Sequence, residues 1–201
     1  MGSDISISAP KPSLRLEQQQ STRRKLVEAA YDVFSENGYE DATVLSIARR
    51  AGASRATFYL HFNTKAEVLA AAWEDLQQPK MLALFAELNA IDSRAQTAIT
   101  DWLNRMLTLW EEDFNFTIAS NQAIAHDTNL AHAWLSGVKA YFAVIPDFAA
   151  RMTCGPDRAE LRFIFLCAQL DRVAFHWMMS REMFKREDII GELATCWLNE
   201  L

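Results

Sequence analysis

The stretch Thr43 to Lys65, TVLSIARRAGASRATFYLHFNTK, constrains this chain more than any other. Thr43, Ser54 and Thr64 each precede a helical pattern, and each offers a side-chain oxygen to the unpaired amides of a first helical turn. Val44, Ile47 and Ala48 give the first of these helices one apolar side. Ala51-Gly52 ends it, because glycine takes the left-handed C-terminal conformation without a Cβ penalty. In the second helix Phe58 and Phe62 turn inward, while Arg55, Thr57, Tyr59 and His61 stay on or near the other side. Lys65 then falls in the first turn of a longer helix. The spacing predicts a helix-turn-helix whose second helix is short, basic and aromatic, as suits a reader of the DNA major groove.

At first sight the net charge of −6 argues against nucleic acid. It is unevenly spread: residues 1–65 carry a net +2 and residues 66–201 a net −8. The basic excess lies at the end that holds the helix-turn-helix, and the acidic remainder would stay off the phosphates. Arg23, Arg24 and Lys25 oppose the dipole at the start of the first helix, so they need another purpose; phosphate contact and a solvated charge run both fit. Half of the 201 residues are hydrophobic, enough for a substantial core, and no alternating strand pattern recurs. The expected fold class is all-α. Cys154, Cys167 and Cys196 make no disulfide framework, and free thiols in a reducing compartment are the simpler account. With no membrane-length apolar run and no signal-peptide pattern, the expectation is a cytoplasmic protein without a membrane partner.

In chain order, residues 1–20 are expected to form a flexible arm, from which Lys11 or Arg15 could reach DNA. Residues 21–66 form the expected DNA-binding domain and 67–201 a helical regulatory and dimerisation domain. The first helix is placed over about Thr22 to Asn37, stopped by Gly38. The fourth runs from Lys65 to about Gln78, where Pro79 interrupts the pattern. Further helical patterns cover Met81 to Ala90, Arg94 to Glu112, Phe114 to His126 and Asn129 to Ile145, before two strongly periodic helices close the chain.

The helix-turn-helix resembles the N-terminal domain of the tetracycline-repressor (TetR) family of transcriptional regulators. The match lies in Thr43, Ile47-Ala48, Ala51-Gly52, Ser54, Thr57-Phe58-Tyr59, His61-Phe62, Lys65 and Leu69, after a helix bearing Leu26, Ala29-Ala30 and Phe34 and the Gly38-Tyr39 turn. The resemblance implies a homodimer that pairs its last two helices in a four-helix bundle and sets two recognition helices on a pseudo-palindromic operator in double-stranded DNA. The last helix, with Ile189, Ile190, Leu193, Ala194, Trp197, Leu198 and Leu201, carries almost too much apolar surface for one side of a monomer, which favours the dimer over the alternative that this surface is intramolecular core. Arg55 is the expected base reader, because its guanidinium can grip a guanine edge twice. Thr57 is assigned to a base or a thymine methyl, and Ala56, with Arg55, to operator choice. Thr43, Ser54, Tyr59, His61 and Lys65 are assigned to phosphates.

The second domain is rich in aromatics, which at helical spacing usually mean core but also leave gaps between helices where apolar pockets form. Trp134, Tyr141, Asp171-Arg172, Phe175 and Trp197 are arranged much as in the ethionamide-monooxygenase repressor subgroup, which they resemble. That second resemblance implies a pocket walled by Trp102, Met106, Trp134, Tyr141, Cys167, Phe175 and Trp197, with Asn121 or Gln122 as polar anchors, for a small apolar or aromatic effector. The function implied is a ligand-responsive repressor. The alternative is a DNA-binding regulator without a small-molecule ligand, answering to a protein partner or acting as an activator. His126 and His132 are six apart, which does not match paired metal ligands on one helical face, and Asp127 reads as a helix cap. His176 falls in an apolar run as a core or interface residue. No catalytic constellation stands out, and neither an enzyme activity nor a cofactor is expected.

Overall fold

The computed structural model describes residues 14–91 and 96–201, and among them there are helices and turns but no strand. Lys11 and most of the expected arm lie outside the described residues. The first helix, α1 (Leu14–Asp41), starts earlier than the periodicity suggests. Residues 14–20 are exposed along it and bury nothing, so their helicity comes from backbone propensity that a burial pattern does not register. Its regular dihedrals break at Gly38 (φ 75°), the positive-φ position at which the sequence predicts a stop.

The hairpin follows as α2 (Val44–Arg50) and α3 (Arg55–Tyr59). Thr43 caps α2 in a reciprocal box: its Oγ1 accepts from Ser46 N–H and Ser46 Oγ accepts from Thr43 N–H, each at 3.0 Å. The turn between them is a Schellman closure, with Ala53 N–H on Ala48 O and Gly52 N–H on Arg49 O. Gly52 sits at φ 67° with open space around it, so the demand for glycine there is torsional rather than steric. Ser54 caps α3 and Thr64 caps α4 (Lys65–Ala72), each through its own hydroxyl.

The helical path does not end at Pro79. A π-helical segment, Trp73–Gln77, follows α4 directly and leads into α5 (Gln78–Asn89), whose first turn contains the proline. Pro79 has no N–H to donate four residues back, and the chain widens before it, with Gln78 N–H bonding Trp73 O. The remaining helices are α6 (Gln96–Glu112), α7 (Phe114–Ile124), α8 (Thr128–Ala143), α9 (Pro146–Arg151), α10 (Pro156–Met179) and α11 (Arg186–Leu198). Asp127 caps α8 by accepting from Asn129 N–H at 2.8 Å, as the sequence suggests.

Two cores result. One gathers α1 to α4 around Leu26, Phe34, Ile47 and Phe58, and it also takes in Phe116, Ala119 and Ala123 of α7 and Leu130 of α8. The expected boundary near residue 66 therefore crosses packed core rather than a linker. The other core lies among α5, α6 and α8 to α11, centred on Phe85, Trp102, Phe163 and Trp197. The closing helix α11 spends Ile190, Leu193, Ala194 and Trp197 on this intramolecular core, the alternative left open by the sequence, while Ile189 and Leu198 stay partly buried. Around this second core the large apolar side chains left exposed are on and just beyond α10: Leu161, Phe165, Met179, Met183 and Phe184. His176 is exposed on α10 and is not a core residue.

Candidate functional site

The outer surface of α3 collects most of the residues expected to meet DNA. Ser54, Arg55, Ala56 and Tyr59 are exposed, Thr57 and His61 half-buried, and Thr43 is exposed at the start of α2. Phe58 is fully buried beneath them, in edge contact with Tyr59, and fixes the helix against its own core. Arg55 lies over the Tyr59 ring at 5.6 Å and donates to its hydroxyl at 3.3 Å. This contact holds the guanidinium on the exposed side without neutralising it. Ser54 and Thr57 are less free. Ser54 Oγ accepts the Thr57 N–H and shares a 2.9 Å hydrogen bond with Thr57 Oγ1. Leu45 and Leu60 are also exposed on the hairpin, and apolar periodicity alone could not separate them from core.

Lys65, which the sequence assigns to a phosphate, is engaged within the chain. Its Nζ donates to the carbonyls of Tyr39 (2.6 Å), Glu40 (3.2 Å) and Ala42 (3.3 Å), and it stands 4.2 Å from the centre of the Tyr39 ring. An ammonium has three N–H donors, and all three are taken. In this structure Lys65 thus clamps the end of α1. Arg23 is similarly engaged, paired with Asp75 at 2.6 Å and lying over Phe62, whereas Arg24 and Lys25 are exposed.

Behind the hairpin lies a cavity of about 1130 Å³, bordered by α4, the π segment, α5, α6, α7, α8 and α10. Four of the seven expected wall residues line it: Trp134, Tyr141, Cys167 and Phe175. Trp102, Met106 and Trp197 do not. All three are fully buried in the second core, where Trp102 packs on Trp197 with ring centres 5.0 Å apart and donates its indole N–H to Leu84 O. The two sets share one helical periodicity, so the sequence could not tell wall from core. Sequence reasoning also misses Trp73, Phe85, Trp110 and Gly137 as wall residues; the first two sit in apolar patterns that read equally well as core.

The expected polar anchors are present in the wall but already engaged. Asn121 Oδ1 accepts from Arg172 Nη2 at 3.2 Å. Gln122 Oε1 accepts the backbone N–H of Tyr39 at 3.1 Å, in the turn that follows Gly38. Burial pushes the Asp171 carboxyl above its ordinary range, with Arg172 acting against it, and burial also pushes the Cys167 thiol well up. In both groups burial disfavours the charged form. A second polar junction joins the cores: Tyr31 of α1 donates to Asp113, which Lys80 also meets at 3.0 Å. Burial first, and then the Asp113 carboxylate, push the Tyr31 hydroxyl up to about 12.

Comparison with known proteins bears on the hairpin and on the fold. Residues 26–72, which cover α1 from Leu26 through α4, match the model of "Bacterial regulatory proteins, tetR family". The regulator CymR of Pseudomonas putida is 30% identical over 187 residues, covering 89% of this chain and 91% of that protein. SrpR and TtgW, both of Pseudomonas putida, are 42% and 43% identical, but over 69 and 67 residues only; the chain spans 32% and 50% of their lengths. Among solved structures, a Rhodococcus regulator at 26% identity superposes with a TM-score of 0.65, covering 87% of this chain and 93% of that one. FadR of Bacillus subtilis, solved in complex with stearoyl-CoA, gives 0.65 at 18% identity over 89% of this chain and 98% of its own. The hairpin match and the near full-length similarity to CymR together establish that this chain belongs to the TetR family of bacterial transcriptional regulators, and is not an enzyme.

Proposed function

We propose that this regulator acts as a homodimeric repressor on a pseudo-palindromic operator, and that a small apolar or aromatic effector entering the cavity releases it. One observation carries this reading: the cavity and the DNA-reading hairpin share side chains. Leu69 of α4 belongs both to the hairpin core and to the cavity wall. Gln122, in the same wall, holds the Tyr39 turn whose carbonyl Lys65 clamps. A ligand that prefers one arrangement of this wall biases the pose of α3 by its differential affinity for the two states. Dimerisation is supported by Leu161, Phe165 and Met179, which α10 leaves in water. A dimer also doubles the phosphate contacts that one short hairpin can make.

The test is selection of bound duplexes from a random pool, with footprinting of the winner. A two-fold symmetric site is expected, and recovery of no preferred sequence would refute sequence-specific repression. Arg55→Ala should then lose about 1–3 kcal/mol at chiefly one base position. An equal loss on random DNA would remove Arg55 as the base reader.

A further inference from the structure

One polar feature of the cavity has no use in the fold. Tyr141 of α8 is 4% exposed, yet its hydroxyl has no hydrogen-bond partner among the described residues. A buried hydroxyl left unpaired costs about 1–3 kcal/mol, so it stands out against a wall of aromatic and aliphatic groups. Its ring is fixed, stacked on Phe85 with centres 4.7 Å apart and planes 14° apart.

The indole N–H of Trp73, the first residue of the π segment, is the polar group beside it. Trp73 favours the ionised tyrosine while burial opposes it more strongly, yet the two do not meet in hydrogen-bond geometry. Both atoms converge on one spot. A β-carbon built on Gly137 would lie 3.7 Å from Tyr141 Oη and 4.0 Å from Trp73 Nε1. The missing side chain at Gly137 therefore leaves a notch over which two donors stand. Trp Nε1 can only donate, and a tyrosine kept un-ionised by burial can donate too, so the group that satisfies both is an acceptor.

The charge of that acceptor follows from its surroundings. Among the described residues lining the cavity, Arg172 is the one cation, and it is held by Asn121 at 3.2 Å with the Asp171 carboxylate at 3.8 Å. Glu74 and Asp171 contribute acidic groups to the same wall. A carboxylate or phosphate would meet two acidic side chains and, in Arg172, a cation whose side chain is 56% exposed and screened by water, whereas a carbonyl oxygen accepts two hydrogen bonds without bringing charge into an apolar space. We propose that the effector is a neutral carbonyl compound with an aromatic or apolar body, its oxygen seated over Gly137 and hydrogen-bonded by Tyr141 and Trp73. This rests on the reading that the cavity takes a small effector. It adds which atoms select it.

A matched series separates the two ideas: benzophenone, diphenylmethane, which lacks the oxygen, and diphenylacetate, which carries a carboxylate. Binding is followed by calorimetry on the intact protein. Tyr141→Phe should weaken benzophenone about 5-fold, the worth of roughly 1 kcal/mol of hydrogen bond, and leave diphenylmethane within about 2-fold. Gly137→Ala is the variant that guards against a failure of folding. Alanine favours a helix over glycine and its methyl makes ordinary contacts there, yet it fills the seat of the oxygen and should selectively weaken benzophenone. Equal loss of benzophenone and diphenylmethane in Tyr141→Phe, or no loss of either, would overturn the carbonyl assignment while leaving a ligand cavity standing. Diphenylacetate binding tightest would overturn the requirement for neutrality. If none of the three binds the wild-type protein, the carbonyl assignment falls by itself, since the small-effector reading does not depend on this one scaffold.

Discussion

Lys65→Met is the substitution that separates a clamp from a phosphate ligand. Methionine keeps most of the apolar stem that lies against Tyr39 and removes the three donors that hold the carbonyls of Tyr39, Glu40 and Ala42. Hydrogen bonds from a charged donor are worth about 1.5–3 kcal/mol where they are well shielded. Here Lys65 is only half-buried, and two of the three bonds are longer than 3 Å. With one strong bond, two weak ones and about 0.5–1 kcal/mol for the cation over the Tyr39 ring, a loss of about 2–3 kcal/mol is expected. Urea unfolding of the DNA-free protein measures it as a lower midpoint with an unchanged slope. The companion assay is the salt dependence of binding to the selected operator. If Lys65 neutralised a phosphate, the slope of log K against log salt would fall by about 0.9 for each phosphate no longer neutralised. A clamp predicts no change in slope, and a drop in affinity only as large as the hairpin's disorder. Stability within about 0.5 kcal/mol of wild type, together with a reduced slope, would refute the clamp.

The other junctions yield expectations of the same kind. Tyr31→Phe leaves the buried Asp113 with Lys80 alone and should cost about 1.5–3 kcal/mol in the urea midpoint extrapolation. Gln122→Leu orphans the Tyr39 amide, for about 1 kcal/mol of stability, and should shrink the effect of a bound ligand on operator affinity; an unchanged effect would remove Gln122 from the route between the sites. Asp171→Asn should act in a pH-dependent way. The folded carboxyl ionises at higher pH than the unfolded one, so its ionisation takes stability away as pH rises from about 4 through the raised folded value. Melting temperatures of Asp171→Asn and wild type should therefore converge near about pH 4, and the variant should lead at about pH 7.

The hairpin is legible in the sequence because its signals are local. Thr43, Ser54, Gly52 and Thr64 act within three to five residues of themselves, and each does in the structure what its chemistry suggests. Lys65 is not legible in that way. Its partners are carbonyls 23 to 26 residues back, and a carbonyl has no residue identity to read. The aromatic domain fails differently. Trp197 and Trp134 both recur at helical spacing, but one is closed against Trp102, Phe148 and Phe163 while the other borders a gap, and the gap depends on where α7 and α8 come to rest. Pro79 reads as an interruption because a 3.6-residue period has no place for a local widening to π geometry.

That widening is also where the molecule has most reason to move. A hinge at residue 66 would have to tear a core in which Val68, Leu69 and Ala72 of α4 pack with α1, α2 and α7, and packed interiors do not deform continuously. Just beyond, at Trp73–Gln77, the regular helical ladder is interrupted, and buried Gln77 leaves its Nε2 without a partner among the described residues. An orphaned buried donor costs about 1–3 kcal/mol, which a rearranged segment could recover. A tie from the segment to α1, Arg23 to Asp75, is about 40% exposed on both sides and contributes at most about 1 kcal/mol. Allosteric couplings are commonly about 1–3 kcal/mol, so interactions of this size at Trp73, Gln77 and Asp75 suffice to set one. On the proposed reading, a ligand seated on Trp73 would push at the first residue of the segment, and α4 would carry the change as a rigid rod to the hairpin whose Lys65 holds the end of α1.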